Sequence, residues 1–490
     1  MKVLAYDGFS GIITCPMSSP SFALRLRRAA RIALYGSVLL ACAIAAGLVA
    51  VINRPMQARE SELWILTDYK TLPETRLLQH YVQIDTTPTT GDERLGARFL
   101  ADRLAEAGIP SHIEYLNGRH ANLWAILEGE RPEALVLHNH IDVSSVNPSE
   151  WWVPPFEGRI QLPWIFGRGV FDMKSVAIAQ LQALIDLKKS GIKPKLSVIF
   201  LATGGEEYGS FLGTQWILQQ HPELVRRFHA VMTEGGTVEA RTRSEIKYWG
   251  TEFAQKRFVD LVVCSHDRAP LESIKDWLNQ HHTLTNLHVV PEVAAILPAY
   301  AKSRDSSELR DVLTSRRMLA DVRAYRKLPA YVQSMFRNEA VPFRIQQTAD
   351  GDWELTIKFH LLPGVELADV RDELVPPWLL HGLTATLREL PTARHGSPVD
   401  HPILKVIQAE VESRHPGATA GPMFLSWTAT DSRFFRQAGI PSYGFSPFLI
   451  MTTDTLQVDA ANERMALPGF VEGVHLYSAV LHRLLVDTKW

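Results

Sequence analysis

Cysteine is almost missing from this chain of 490 residues: Cys15, Cys42 and Cys264 stand alone and far apart. They exclude a disulfide framework and a thiolate metal site. An oxidising compartment stays open, because a chain of this size needs no covalent staples. An excess of charge of either sign is missing too. Lys and Arg number 51 against 53 Asp and Glu, a formal net charge of −2, which leaves no electrostatic footprint for nucleic acid. Internal repeats and low-complexity tracts are absent. The 46% hydrophobic and 21% charged residues exclude general disorder. A chain of 490 residues exceeds what one hydrophobic core serves, so two domains are expected.

Charge is locally absent in one place. Residues 32–52 carry no charged side chain, and about 20 apolar residues suffice to span a bilayer as a helix. Arg25, Arg27, Arg28 and Arg31 crowd the front of this run, and Arg54 stands alone behind it. The positive-inside rule then places residues 1–31 in the cytoplasm, 32–52 in the membrane as an uncleaved anchor, and the rest outside, in a periplasmic, extracellular or lumenal space. A cleaved signal peptide is the rival, but its apolar core is typically shorter.

Beyond the anchor, Leu95, Phe99, Leu100, Leu104 and Ala107 recur at helical spacing and stop at Gly108. Short apolar runs at 123–127, 134–137, 196–201 and 230–232 read as strands, with a helix at 176–187 between the second and third. Strands alternating with helices predict an α/β domain of three layers around a mostly parallel sheet. Near residue 250 the pattern changes. Residues 258–263 and 353–359 alternate like strands and 271–278 reads as a helix, so a smaller α+β insertion is expected at 251–391. The larger domain would then occupy 57–250 and 392–490, closed by a helix at 469–485.

Four segments place metal-type ligands just behind apolar strands. Leu137-His138-Asn139-His140-Ile141-Asp142 offers His140 as a ligand, with Asp142 two residues on to accept the other ring N–H. In Gly167-Arg168-Gly169-Val170-Phe171-Asp172-Met173-Lys174, Asp172 stands before a helix, where it either bridges two cations or caps the helix. Thr203-Gly204-Gly205-Glu206-Glu207 sets two carboxylates behind a fully apolar strand, which is costly unless a cation compensates them. One can bind metal while the other stays free as a base. Thr233-Glu234-Gly235-Gly236 repeats the theme. Carboxyl ends of parallel strands are where such sheets place their sites, and one imidazole with several carboxylates suits zinc or a harder divalent ion.

The order of these motifs resembles the co-catalytic zinc metallohydrolases of the MH clan, which include aminoacylase, carboxypeptidase S, N-acyl-amino-acid hydrolases and glutamate carboxypeptidase. The resemblance runs from about residue 75 to the C-terminus, and Thr430-Asp431-Ser432-Arg433-Phe434-Phe435 followed by Gly444-Phe445-Ser446-Pro447 adds to it. It implies two zinc ions, one on His140, Asp172 and Glu234, the other on Glu207 and the shared Asp172. It implies Glu206 as general base, Asp142 as the residue orienting His140, and Arg433 as clamp for a substrate carboxylate. The insertion would be the family's lid and dimerisation domain, where Ser265-His266-Asp267 lies near the position of an oxyanion-stabilising histidine, without its usual glycine. Where relatives carry a last metal-binding histidine, this chain reads Val458-Asp459-Ala460-Ala461-Asn462-Glu463-Arg464. Asp459 is a competent oxygen ligand that would favour harder ions such as Mn²⁺, with Co²⁺ also admitted. The implied reaction is hydrolysis of an N-acyl amino acid or short peptide. A non-catalytic sensor on the same scaffold, or a deacylase of an acylated diamino acid, are the alternatives.

Overall fold

The computed structural model describes residues 68–242, 245–281, 287–389, 393–455 and 457–490. The expected anchor at 32–52 lies outside them. Among the described residues no helix is long and apolar enough to cross a membrane.

The strands in chain order are β1 (Ser111–Tyr115), β2 (Ala121–Leu127), β3 (Arg131–His140), β4 (Arg159–Gln161), β5 (Trp164–Phe166), β6 (Leu196–Thr203), β7 (Phe228–Thr233) and β8 (Thr237–Thr242). There follow β9 (Glu245–Gln255), β10 (Arg257–Ser265), β11 (Glu339–Gln347), β12 (Trp353–Leu361), β13 (Thr384–Glu389), β14 (Thr419–Leu425), β15 (Ser442–Gly444) and β16 (Arg464–Ala466). The main sheet runs β1-β2-β6-β3-β7-β15-β9-β14, with β8 on β9. Its centre is parallel, β6 with β3, β3 with β7 and β7 with β15, while β1, β2 and the β15–β9 junction pair antiparallel.

Burial on both faces explains the composition of the central strands. Every residue of β6 is buried, and its sequence is nearly all apolar, as a strand covered by helices on both sides must be. On one face Val136, Ile199 and Val231 pack with Ile217 of helix Thr214–Gln220 and Phe435 of helix Ser432–Gln437. Helix Ser175–Lys189 covers β3 and β6 and also packs on helix Leu467–His482. Each such aliphatic side chain contributes about 1.5–3 kcal/mol when fully buried.

A second sheet, β11-β12-β10-β13, is wholly antiparallel. Val259, Leu261 and Val263 form its core with Leu355, Ile357, Phe359 and the apolar face of helix Arg268–Gln280. The chain passes from the main sheet to this one through Lys256 alone, whose buried ammonium pairs with Glu339 at 2.7 Å. Strand β9 was not legible as a strand. Its interior holds Glu252, a fully buried carboxylate whose partner Arg436, at 2.7 Å, is remote in sequence.

Candidate metal centre

Parallel pairing sets the site. His140, the last residue of β3, lies opposite Thr203, the last of β6, and β7 runs beside β3 to end at Thr233. The three strands thus release His140, the Gly204-Gly205-Glu206-Glu207 turn and Glu234 at one edge. Asp172 reaches the same edge from the loop after β5. Gly169 makes that approach possible, with φ 74° and so little room that a Cβ would stand 2.2 Å from Val143 Cγ1.

Two triads result. One ligand-type atom from each of His140, Asp172 and Glu234 falls within 4.8 Å of the others, and the same holds for Asp172, Glu207 and Asp459. Asp172 belongs to both. Nε2 of buried His140 lies 3.1 Å from Asp172 Oδ1 and 3.7 Å from Glu234 Oε2. Its Nδ1 donates to the backbone carbonyl of Asp142 at 2.9 Å, while the Asp142 carboxylate stays 3.6 Å away. The Asp142 carboxylate instead accepts the N–H groups of Glu206 and Glu207, each at 3.0 Å, and so hangs the acidic turn on the end of β3.

Electrostatics shows what this arrangement lacks. Burial, reinforced by Asp172 and Asp459, pushes Glu207 up to about 9. Burial and then Asp172 push Glu234 up to about 8. Glu206 is held well above the carboxylate range by burial, then by the charges of Asp431 and Glu234. Burial opposes a charge on His140, yet Glu234 and then Asp142 and Asp172 hold its pKa well above the usual imidazole value. Ser144 donates to Glu207 Oε2 at 2.7 Å, but the buried Oε1 has no hydrogen-bond partner among the described residues. A cation at each triad would satisfy these carboxylates, and one imidazole with oxygen donors is a set that zinc or a harder divalent ion accepts. The residues fit two metal ions.

Around the triads stand further polar residues. Glu463, fully buried, accepts from Arg168 and from the N–H groups of Gly169, Phe171 and Asp172. Its signal was the Asn462-Glu463-Arg464 run behind Asp459, which carried no role of its own. Behind the acidic turn, Asp431 accepts from Ser210 and from Thr214, the latter at 2.5 Å, and lies 3.6 Å from buried His138. Arg433 stands two residues on, its guanidinium 4.6 Å from the Phe434 ring centroid and its buried Nε without a hydrogen-bond partner among the described residues. His266 is not brought to the cluster. Its ring is 93% exposed and bonded to Asp352, 2.6 Å away beside the second sheet.

A parallel sheet whose carboxyl edge gathers two carboxylate-rich triads around one shared aspartate, with a further glutamate beside them, defines the chain as a metallohydrolase. It belongs to peptidase family M20/M25/M40, matching that family over residues 136–483. Aminoacylase-1 of Sus scrofa is 25% identical over 423 residues, covering 84% of this chain and 95% of that protein. A probable succinyl-diaminopimelate desuccinylase of Staphylococcus epidermidis is 36% identical over 141 residues, 28% of this chain and 34% of its own length. Among solved structures, an M20 family metallo-carboxypeptidase from Sulfolobus solfataricus aligns with TM-score 0.63 at 15% identity, covering 84% of this chain and 99% of that one. Human carnosine dipeptidase 1 aligns with TM-score 0.62 at 14% identity, covering 89% and 98%. At such identities the two structures speak for the fold.

Proposed function

We propose that this protein hydrolyses an amide bond next to a free carboxylate, in an N-acyl amino acid or at the C-terminus of a short peptide. The observation that carries this reading is the sharing of Asp172 between two triads, with the neighbouring Glu206 left free of any side-chain hydrogen bond among the described residues. His140, Asp172 and Glu234 would hold one divalent ion, and Asp172, Glu207 and Asp459 the other. Zinc suits the set, and the extra carboxylate at Asp459 also admits manganese or cobalt. When bound, such a pair supplies Lewis-acid polarisation of a carbonyl and acidifies water.

The chain's own residues do the rest. Glu206 is placed to take a proton from the attacking water and to hand it to the departing amine. Asp142 fixes Glu206 by holding its backbone N–H. Arg433, with its unpartnered buried Nε, is free to grip the substrate carboxylate with its planar fork. The apolar run at 32–52 behind its arginines supports a membrane anchor with the hydrolase outside. The exposure of His266 supports a role across a dimer formed by the second sheet.

The test is a hydrolysis screen of N-acyl amino acids and dipeptides with Zn²⁺, Mn²⁺ or Co²⁺ added back to metal-free protein. Turnover of carboxylate-bearing substrates, with their C-terminal amides resistant, is expected. Two bound ions with no turnover of any substrate would favour a non-catalytic binding protein.

A further inference from the structure

The loop that carries Asp172 and the loop that carries Asp459 have no sequence relation, yet one buried carboxylate joins them. Strand β16 pairs antiparallel with β5, Arg464 opposite Phe166, so the residue before β16 meets the residues after β5. That residue is Glu463. Its carbonyl accepts the N–H of Gly167 at 3.0 Å. Its Oε2 accepts Arg168 at 2.7 Å and the Gly169 N–H at 3.1 Å, and its Oε1 accepts the N–H groups of Phe171 at 2.8 Å and Asp172 at 3.2 Å. The other arm of Arg168 donates to the backbone carbonyl of Asp459 at 2.9 Å. The Asp459 carboxylate stands 3.6 Å from the same guanidinium.

Every hydrogen bond of the Glu463 side chain thus serves a group next to a ligand. The three N–H groups belong to the turn that aims Asp172 at both triads, and Arg168 carries the restraint on to Asp459. The two oxygens of Glu463 hold this segment by four hydrogen bonds. They also cannot leave without stranding several donors. We infer that Glu463, acting through Arg168, is a positioning residue that sets the spacing of Asp172 and Asp459 and so makes the second metal site bind. This rests on the two-ion reading above and adds the part that holds the weaker site together. It also gives a reason why aspartate can serve at 459. The shorter side chain is kept at the site by an anchored backbone carbonyl.

Glu463→Gln keeps the size of the side chain but puts an amide NH₂ where N–H donors or Arg168 must be accepted. Partners of this kind typically change metal affinity by about 10–100-fold. Zn²⁺ affinities of the folded, metal-free chain would be measured by chelator competition, with thermal unfolding of the metal-free protein alongside. The expected result is a loss of that size in the weaker of two Zn²⁺ steps and a smaller loss in the tighter one. Wild-type Zn²⁺ affinities in a folded Glu463→Gln chain, with only the unfolding temperature lowered, would make Glu463 a structural pin and overturn the inference. Should Glu463→Gln fail to fold, Arg168→Lys decides, since it keeps the charge beside Glu463 and loses the arm to Asp459. A loss confined to the weaker step supports the inference, and unchanged affinities overturn it. A wild-type chain that binds fewer than two ions would overturn the two-ion reading itself, a result separable from either variant's.

Discussion

The two triads share Asp172 but are built from different material. His140 ends β3, and Glu234 follows the end of β7, two strands in parallel register whose neighbours are buried on both faces. Their separation is therefore a property of the sheet. Glu207 and Asp459 sit on loops. Glu207 occupies a single helical turn hung on Asp142, and Asp459 adopts φ 58° with a side chain 42% exposed. Their separation depends on hydrogen bonds made by Asp142, Ser144, Arg168 and Glu463. A site laid down by a sheet tolerates loss of one bond. A site laid down by loops does not, and the second triad is where metal affinity should be tuned and most easily lost.

The strongest test of that contrast removes what both triads share. Asp172→Ala should lose both ions and lower kcat/KM by about 10³-fold or more, as forfeiting several kcal/mol of metal assistance requires. Retention of one tight ion would show that the triads are independent. Glu206→Gln should lower kcat by about 10²–10⁴-fold while both ions stay bound. Unchanged turnover would remove Glu206 from the chemistry. A smaller effect is expected from Asp459→His, which puts an imidazole at a left-handed position that histidine tolerates. It should shift the competition between Zn²⁺ and Mn²⁺ toward Zn²⁺ at the weaker step only. An equal shift at both steps would contradict the division.

The smallest effect is on pH dependence. In the metal-free chain Glu207 and Glu234 are pushed up to about 9 and about 8, by burial first and neighbouring carboxylates second, from an ordinary 4.5. A carboxylate raised in the folded state contributes stability that is fully present below its unfolded pKa and is lost as pH rises through the folded value. Metal binding needs the same groups ionised. The gap in unfolding temperature between metal-loaded and metal-free protein should therefore widen from pH 6 to pH 9. A constant gap would mean that neither glutamate faces an ion.

Most of the sheet-built half was legible in the sequence, because it rests on local signals. The helical spacing of Leu95 to Ala107 became helix Glu93–Glu106, and the apolar run at 196–201 became β6. The alternation at 353–359 became β12, in the second sheet. His140, Glu207 and Glu234 each follow such a strand, and the structure brings them together with Asp172 and Asp459. What escaped depends on contacts between distant segments. Glu463 looks like any glutamate until β16 pairs with β5, and the three-stranded sheet that joins them is too short to leave a pattern. Asp142 was seen beside His140, but its hold on the N–H groups of Glu206 and Glu207 was not, because strand alternation says which face a side chain shares and not which donors a later turn will offer it. His266 rests on the resemblance alone, and its exposed ring bonds Asp352.

The central claim is that this chain holds two metal ions through one shared aspartate. Zinc stoichiometry of the purified protein and of Asp459→Ala, read by elemental analysis after equilibration against limiting free Zn²⁺, tests it most directly. Two ions per chain are expected in the wild type and one in the variant. One ion in both, or two in both, would contradict it.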